Sequence, residues 1–354
     1  MNVKFYDTLQ LDPAVLKAEI KKAGSAGEKM RLVGAMAVRA VLLVAFAIIF
    51  ITSLTALFGD GNSNFAVVIF CIFLSCRFVD FHYCISDSLR NLGFIFFILL
   101  VAPILIQMVS PWLGFLINVF SLLLILVFSC ERPEMGNGGL YLFGYIFLSG
   151  TMVDREEFID RIWMAVLGYA MCALVFYFKH RSSQPERRFK QIVREFHLSD
   201  PKRQWQIQAA LGVSLLLLIS MGMGVERYMW VGLAGSSVLT FYRGDRNLRA
   251  KQRVGGAIAG SLFFAVLYCM IPESYVPMLG MVAGLCLGFC GQYPGKTVFN
   301  CLGALSTAVG IYGLGGSILL RILNNMGGAL LAWIFLRLGQ KIMSQCFRVK
   351  TVRE

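Results

Sequence analysis

The chain has 354 residues, 57% of them apolar and only 15% charged, against about 25% charged in a soluble domain. Its formal net charge is +13, from 33 Lys and Arg against 20 Asp and Glu. Such a composition excludes a soluble globular enzyme and calls for lipid as the solvent of most of the chain.

Residues 1–35 carry Lys4, Lys17, Lys21, Lys22, Lys29 and Arg31 before any sustained apolar run, so they read as a cytoplasmic segment with no cleavable signal peptide. Asp12 is placed to cap a helix with Pro13 at its first position. Apolar windows then predict twelve membrane helices, near residues 36–57, 65–79, 92–109, 111–129, 139–153, 162–178, 208–224, 228–242, 254–271, 276–290, 298–314 and 317–336. Several windows are nearer 15 residues than the ~20 of a straight span, so they are expected to borrow flanking polar residues or to be shielded by protein.

Six windows form a first membrane unit over 36–178 and six form a second over 208–338, with a basic connector at 179–207 and a basic tail at 339–354. With the N-terminus inside, the even-numbered loops and both tails hold 28 of the 33 basic residues. Retention of Lys and Arg in cytoplasmic loops therefore predicts both termini inside, and the resemblance described below places the chain in a cell inner membrane. In the connector, Phe189, Ile192, Val193 and Phe196 recur at helical spacing opposite Arg187, Arg188, Lys190 and Arg194. This amphipathic stretch reads as a strap on the anionic leaflet or as a docking surface for a cytoplasmic partner.

The halves show internal similarity. An offset of 163 places Phe78 on Phe241, Arg90 on Arg253 and Gly93 on Gly256, and an offset of 160 places Arg161 on Arg321, Gly168 on Gly328 and Gly150 on Gly310. Six helices per unit make the repeat parallel, related by an axis along the membrane normal. The fold class expected is thus all-α, a polytopic bundle of about twelve helices in two parallel six-helix repeats. The second half holds 22 of the 35 glycines, and Gly93, Gly256, Gly260, Gly280, Gly284, Gly288 and Gly328 are the candidates for close helix packing. The Phe-rich first half is expected to pack more loosely.

Chemistry-bearing motifs are scarce. Gly291–Thr297 reads GQYPGKT but lacks the upstream glycine and strand of a phosphate-binding loop. The three histidines are scattered, the cysteines lie mostly in apolar runs without CxxC spacing, and no nucleophile and base are paired. No catalytic residue, metal or cofactor is expected, and no nucleic acid. The remaining candidates are charges at membrane depth or at its edge: Arg161, Arg321, Arg243, Arg253, Arg90, Arg39 and Asp245. Each arginine either snorkels to headgroups or lines a solute path. Acidic residues are almost absent from the spans, so the surplus positive charge favours an anionic solute.

The stretch Phe241, Tyr242, Arg243, Gly244, Asp245 and Arg246, continuing through Arg253, Val254, Gly255, Gly256, Ala257 and Gly260, resembles the second membrane half of the fusaric acid resistance and aromatic acid exporter superfamily. Arg321, Gly327, Gly328 and Ala329 extend the resemblance, which covers about residues 205–340. It implies six-helix units, often duplicated, and efflux of aromatic or other small organic carboxylates, with a periplasmic adaptor protein or a homo-oligomer as partners beside membrane lipids. Many members carry a sizeable soluble domain, for which this chain has only its connector and tail. The expected function is an exporter of small organic anions through a path between two six-helix halves. The alternatives are a non-transporting scaffold or partner subunit and a carrier of lipid or envelope precursors.

Overall fold

The computed structural model describes residues 5–182, 185–242 and 244–351, and side chains as far as residue 339. Among the described residues every regular element is helical. Each predicted window falls on a helix: α3 (Ala26–Phe58), α4 (Ser63–Cys76), α5 (Ile85–Met108), α6 (Pro111–Ser129), α7 (Asn137–Ser149), α8 (Arg155–His180), α10 (Pro201–Gly222), α11 (Met229–Leu239), α12 (Arg246–Met270), α13 (Leu279–Gly288) and, for the last two, α14 (Tyr293–Thr351). Short helices α1 (Phe5–Gln10), α2 (Pro13–Lys22) and α9 (Phe189–Arg194) complete the order.

Helix starts follow local chemistry. Asp12 Oδ1 accepts from the Ala14 amide at 2.7 Å ahead of Pro13, as the sequence predicts. Asp154 and Glu157 form a reciprocal capping box at the head of α8. Asp200 caps α10 in front of Pro201.

Seven helices are long and apolar enough to cross a membrane, α14 from Tyr293 to Gly339 among them. These helices make the chain a membrane protein. α14 is two helices, because Gly313 has φ 66 and ψ 175, a conformation essentially restricted to glycine. Arg253 contacts both Tyr293 and Asn325. In a continuous helix those residues would stand about 48 Å apart, so the chain must fold back at Gly313.

The chain divides into two compact units. One comprises Met1–Ile49 and Lys251–Asn325. Its core joins Ala257 and Phe264 of α12, Leu279 and Ala283 of α13, and Cys301, Leu302 and Leu305 of α14. A smaller cluster seats Leu16 of α2 against Leu32 and Met36 of α3, with Phe289 alongside. α12 and α14 approach so closely that a Cβ on Gly260 would lie 2.5 Å from the Val298 carbonyl oxygen.

The other unit comprises Phe50–Ala250 and Met326–Glu354. In it α6 packs on α5 and α10, α4 on α8, and α11 on α7 and α10. The short helices α4, α7 and α11 are its interior: Phe65, Ile69, Tyr141, Tyr145, Ala234 and Val238 are almost wholly buried. A 13-residue helix spans only about 20 Å, less than the ~30 Å hydrocarbon layer. Burial behind longer helices is how such a segment avoids the mismatch.

Two expectations change. The connector forms only the six-residue α9, since α8 runs to His180 and α10 starts at Pro201. Ile192 is fully buried, and Phe189 packs on Tyr83 and Phe128 with ring centroids 5.3 and 5.4 Å away. Protein rather than lipid therefore covers that part of the apolar stripe. Nor is the Phe-rich first half loose: Phe96 is 3% exposed, while Phe94 and Phe97 turn outward. Phe content reports apolar surface, whereas packing depends on which face of the helix carries it.

Candidate functional site

Three of the predicted arginines are buried, and two of them, Arg161 and Arg253, are held by an asparagine oxygen. Arg161, two turns into α8, is 1% exposed. Its Nε donates to Asn62 Oδ1 at 2.7 Å, an Nη group donates to the Gly61 carbonyl at 3.4 Å, and the guanidinium lies 5.7 Å from the Phe65 ring. Asn62 closes a 3-10 turn (Asp60–Asn62), and its Nδ2 donates to the carbonyls of Phe58 and Glu157, both at 2.9 Å. With its amide nitrogen so committed, Asn62 must turn its oxygen toward the arginine.

The same device recurs in the other unit. Arg253 of α12 is 7% exposed, and its Nε donates to Asn325 Oδ1 at 2.9 Å. Asn325 spends its Nδ2 on the Arg321 carbonyl at 2.7 Å, which again aims its oxygen at a guanidinium. Tyr293 Oη stands 3.5 Å from Arg253 Nη1. Arg321, one turn before Asn325, is 4% exposed, interacts with the Cys301 thiol and lies within electrostatic reach of Arg253. Among the described residues, no carboxylate stands within 4 Å of the Arg161 or Arg253 guanidinium, although Glu157 acts on Arg161 electrostatically. A buried charge without a counter-ion costs several kcal/mol even after relaxation, and neutral acceptors offset only part of that.

The structure therefore brings Arg253 and Arg321 together and places Arg161 in the other unit. Arg90 stands apart: its side chain is 57% exposed and pairs with Asp87 at 3.2 Å. Arg39 is half-buried on α3, and Arg243 lies outside the described residues. Asp245 is exposed and caps α12, accepting from the amides of Asn247 and Leu248. Of the candidate packing glycines, Gly256, Gly260, Gly288 and Gly328 abut a neighbouring helix too closely for a free Cβ, whereas Gly93, Gly280 and Gly284 have room at 3.4 Å or more.

Sequence reading missed the two asparagines and a buried ionic hub. Glu131, with a side chain 4% exposed, meets Lys202 at 2.7 Å, Arg203 at 3.0 Å and Arg187 at 3.2 Å. Arg187 also pairs with Glu195, so the hub ties the end of α6 to the connector and the head of α10. Nearby Tyr83 donates to the Phe128 carbonyl at 2.6 Å, and burial holds its phenol far above the ordinary value. The visible signal was a lone carboxylate beside an apolar run. Among the described residues no three His, Cys, Asp or Glu side chains form a metal-binding group.

These features define a polytopic helical membrane protein with buried cationic side chains. Residues 213–335 match the model of a family described as fusaric acid resistance protein-like, so over that stretch the resemblance read from the sequence is met. No curated protein and no solved structure matches the chain.

Proposed function

We propose that the protein is a membrane transporter that exports small organic anions, aromatic carboxylates among them. The observation that carries this reading is buried Arg253, anchored by an asparagine oxygen rather than a carboxylate, with a second guanidinium, Arg321, within electrostatic reach. A carboxylate solute supplies the missing charge transiently and, unlike a resident Asp or Glu, can leave. The family model describes fusaric acid resistance, and fusaric acid is itself an aromatic carboxylic acid.

A matched contact supports two parallel repeats. Gly168 of α8 abuts Ile69 of α4, and Gly328 of α14 abuts Val231 of α11. The glycines are 160 apart in sequence and their partners 162.

The test is flux in proteoliposomes loaded with benzoate, hydroxybenzoates and fusaric acid. Saturable efflux of these anions is expected, reduced at least about tenfold by Arg321→Ala, the share of one charge-assisted hydrogen bond. Transport of cations alone, or of nothing, overturns the proposal, and the second outcome favours a scaffold.

A further inference from the structure

We infer that the cleft where the head of α12 meets the far end of α14 binds the phosphate of an anionic phospholipid. The cleft has a volume of about 720 Å³, and its walls include Asp245, Arg246, Asn247, Trp333, Leu336 and Arg337. The inference is independent of what the protein transports.

The walls are tied together. Trp333 Nε1 donates to Asn247 Oδ1 at 2.7 Å, which fixes the indole of α14 against the first turn of α12. One turn later the Arg337 guanidinium stacks over that indole, 5.2 Å from its centroid. Among the described residues Arg246 donates its Nε, to the Phe241 carbonyl at 3.2 Å, and neither terminal amino group has a partner, which leaves both for a ligand. Asp245, the cleft's carboxylate, is committed to the α12 cap. Among the described residues neither Arg246 nor Arg337 pairs with a carboxylate. Two guanidiniums with free donors outnumber the one carboxylate, whose Oδ1 serves the helix cap, so the cleft is net positive and a multi-oxygen anion such as a phosphate accepts from both.

Depth and surface identify the phosphate's source. The cleft lies where the apolar stretches of α12 and α14 begin and end, the level of headgroups, where tryptophan is favoured. Basic pockets between membrane helices at that level bind anionic headgroups. From it an exposed apolar row, Met326, Leu330, Ile334 and Leu338, runs along α14 at intervals of four. A free phosphate has no use for that row, whereas an acyl chain lies along it.

The experiment uses the full chain in nanodiscs of phosphatidylcholine and phosphatidylglycerol in equal parts, with retained lipid counted by native mass spectrometry. Wild type is expected to retain phosphatidylglycerol over phosphatidylcholine. Retention should weaken about tenfold in Arg337→Gln and in Arg246→Gln, the share of one charge-assisted hydrogen bond. Arg155→Gln, which removes an exposed arginine at the head of α8, should retain lipid as wild type does. Equal retention of both headgroups by wild type overturns the inference without recourse to any variant. Unchanged retention in both cleft variants overturns it as well. So does displacement of the lipid by soluble glycerol 3-phosphate at matching concentration, which would make this a free-phosphate site.

Discussion

At the level of single side chains, an asparagine sets the state of each amide-held arginine. Asn62 and Asn325 satisfy their nitrogens on main-chain carbonyls and offer one neutral oxygen to the guanidinium. The arginine is positioned by this arrangement but not neutralised, which distinguishes it from Glu131, whose three cationic partners form a closed network. The distinction gives opposite responses to charge removal. In Arg253→Gln the desolvation cost of the buried charge, several kcal/mol, disappears along with one charge-assisted hydrogen bond of about 1.5–3 kcal/mol, so the loss of the contact is offset. The variant is expected to melt within a few degrees of wild type while losing most of its anion flux. A large drop in thermal stability with normal specific flux would show that Arg253 serves the fold alone. The arginines were legible in the sequence, since a guanidinium inside an apolar run needs an explanation. Their partners were not, because Asn325 lies 72 residues from Arg253 and Asn62 lies 99 from Arg161, and nothing local says which polar group will face which.

At the level of helices, apolar windows located the membrane segments because lipid obliges each run to satisfy its backbone internally. Lengths were harder to read. α8 and α12 extend several residues beyond their windows, since polar first turns such as Arg155 to Arg161 are as helical as the apolar turns they precede. The connector was read as one amphipathic helix, but Phe189 packs among aromatic rings, Ile192 is fully buried, and among the described residues of the connector only α9 is helical between α8 and α10. The break between the last two windows falls among Gly313, Gly315 and Gly316, and its sharpness comes from the first of them. Gly313 holds φ 66 and ψ 175, and a Cβ there would meet nothing within 4 Å. Any cost of substitution is therefore conformational rather than steric. Gly313→Ala is expected to destabilise by about 1–3 kcal/mol, read as a lower melting temperature, whereas Gly310→Ala, also in open space but with no positive φ, should be neutral or slightly stabilising. Equal effects at both positions would mean that the fold-back does not depend on that backbone conformation.

Across the whole chain the question is how many times the polypeptide crosses the bilayer, because the parity of that number fixes where the termini lie. Seven stretches qualify by length and hydropathy, with α14 counted once. A straight helix from Tyr293 to Gly339 would extend about 70 Å, more than twice the ~30 Å hydrocarbon layer, so the fold-back at Gly313 makes it two crossings. α4, α7, α11 and α13 are too short to qualify alone. Three of them are heavily buried, and where each traverses, the two longer helices it connects enter the bilayer from the same side. Counting them as crossings gives twelve, an even number, for which the distribution of Lys and Arg predicts both ends on the cytoplasmic face. Fluorescent reporters fused at either terminus are accordingly expected to fold and fluoresce, as is one inserted after Arg181. Alkaline phosphatase inserted between Met270 and Leu279 should be active only on the opposite face. Termini on different sides would leave an odd number of crossings, in which case one of the short buried helices does not traverse and the like-oriented halves cannot both exist.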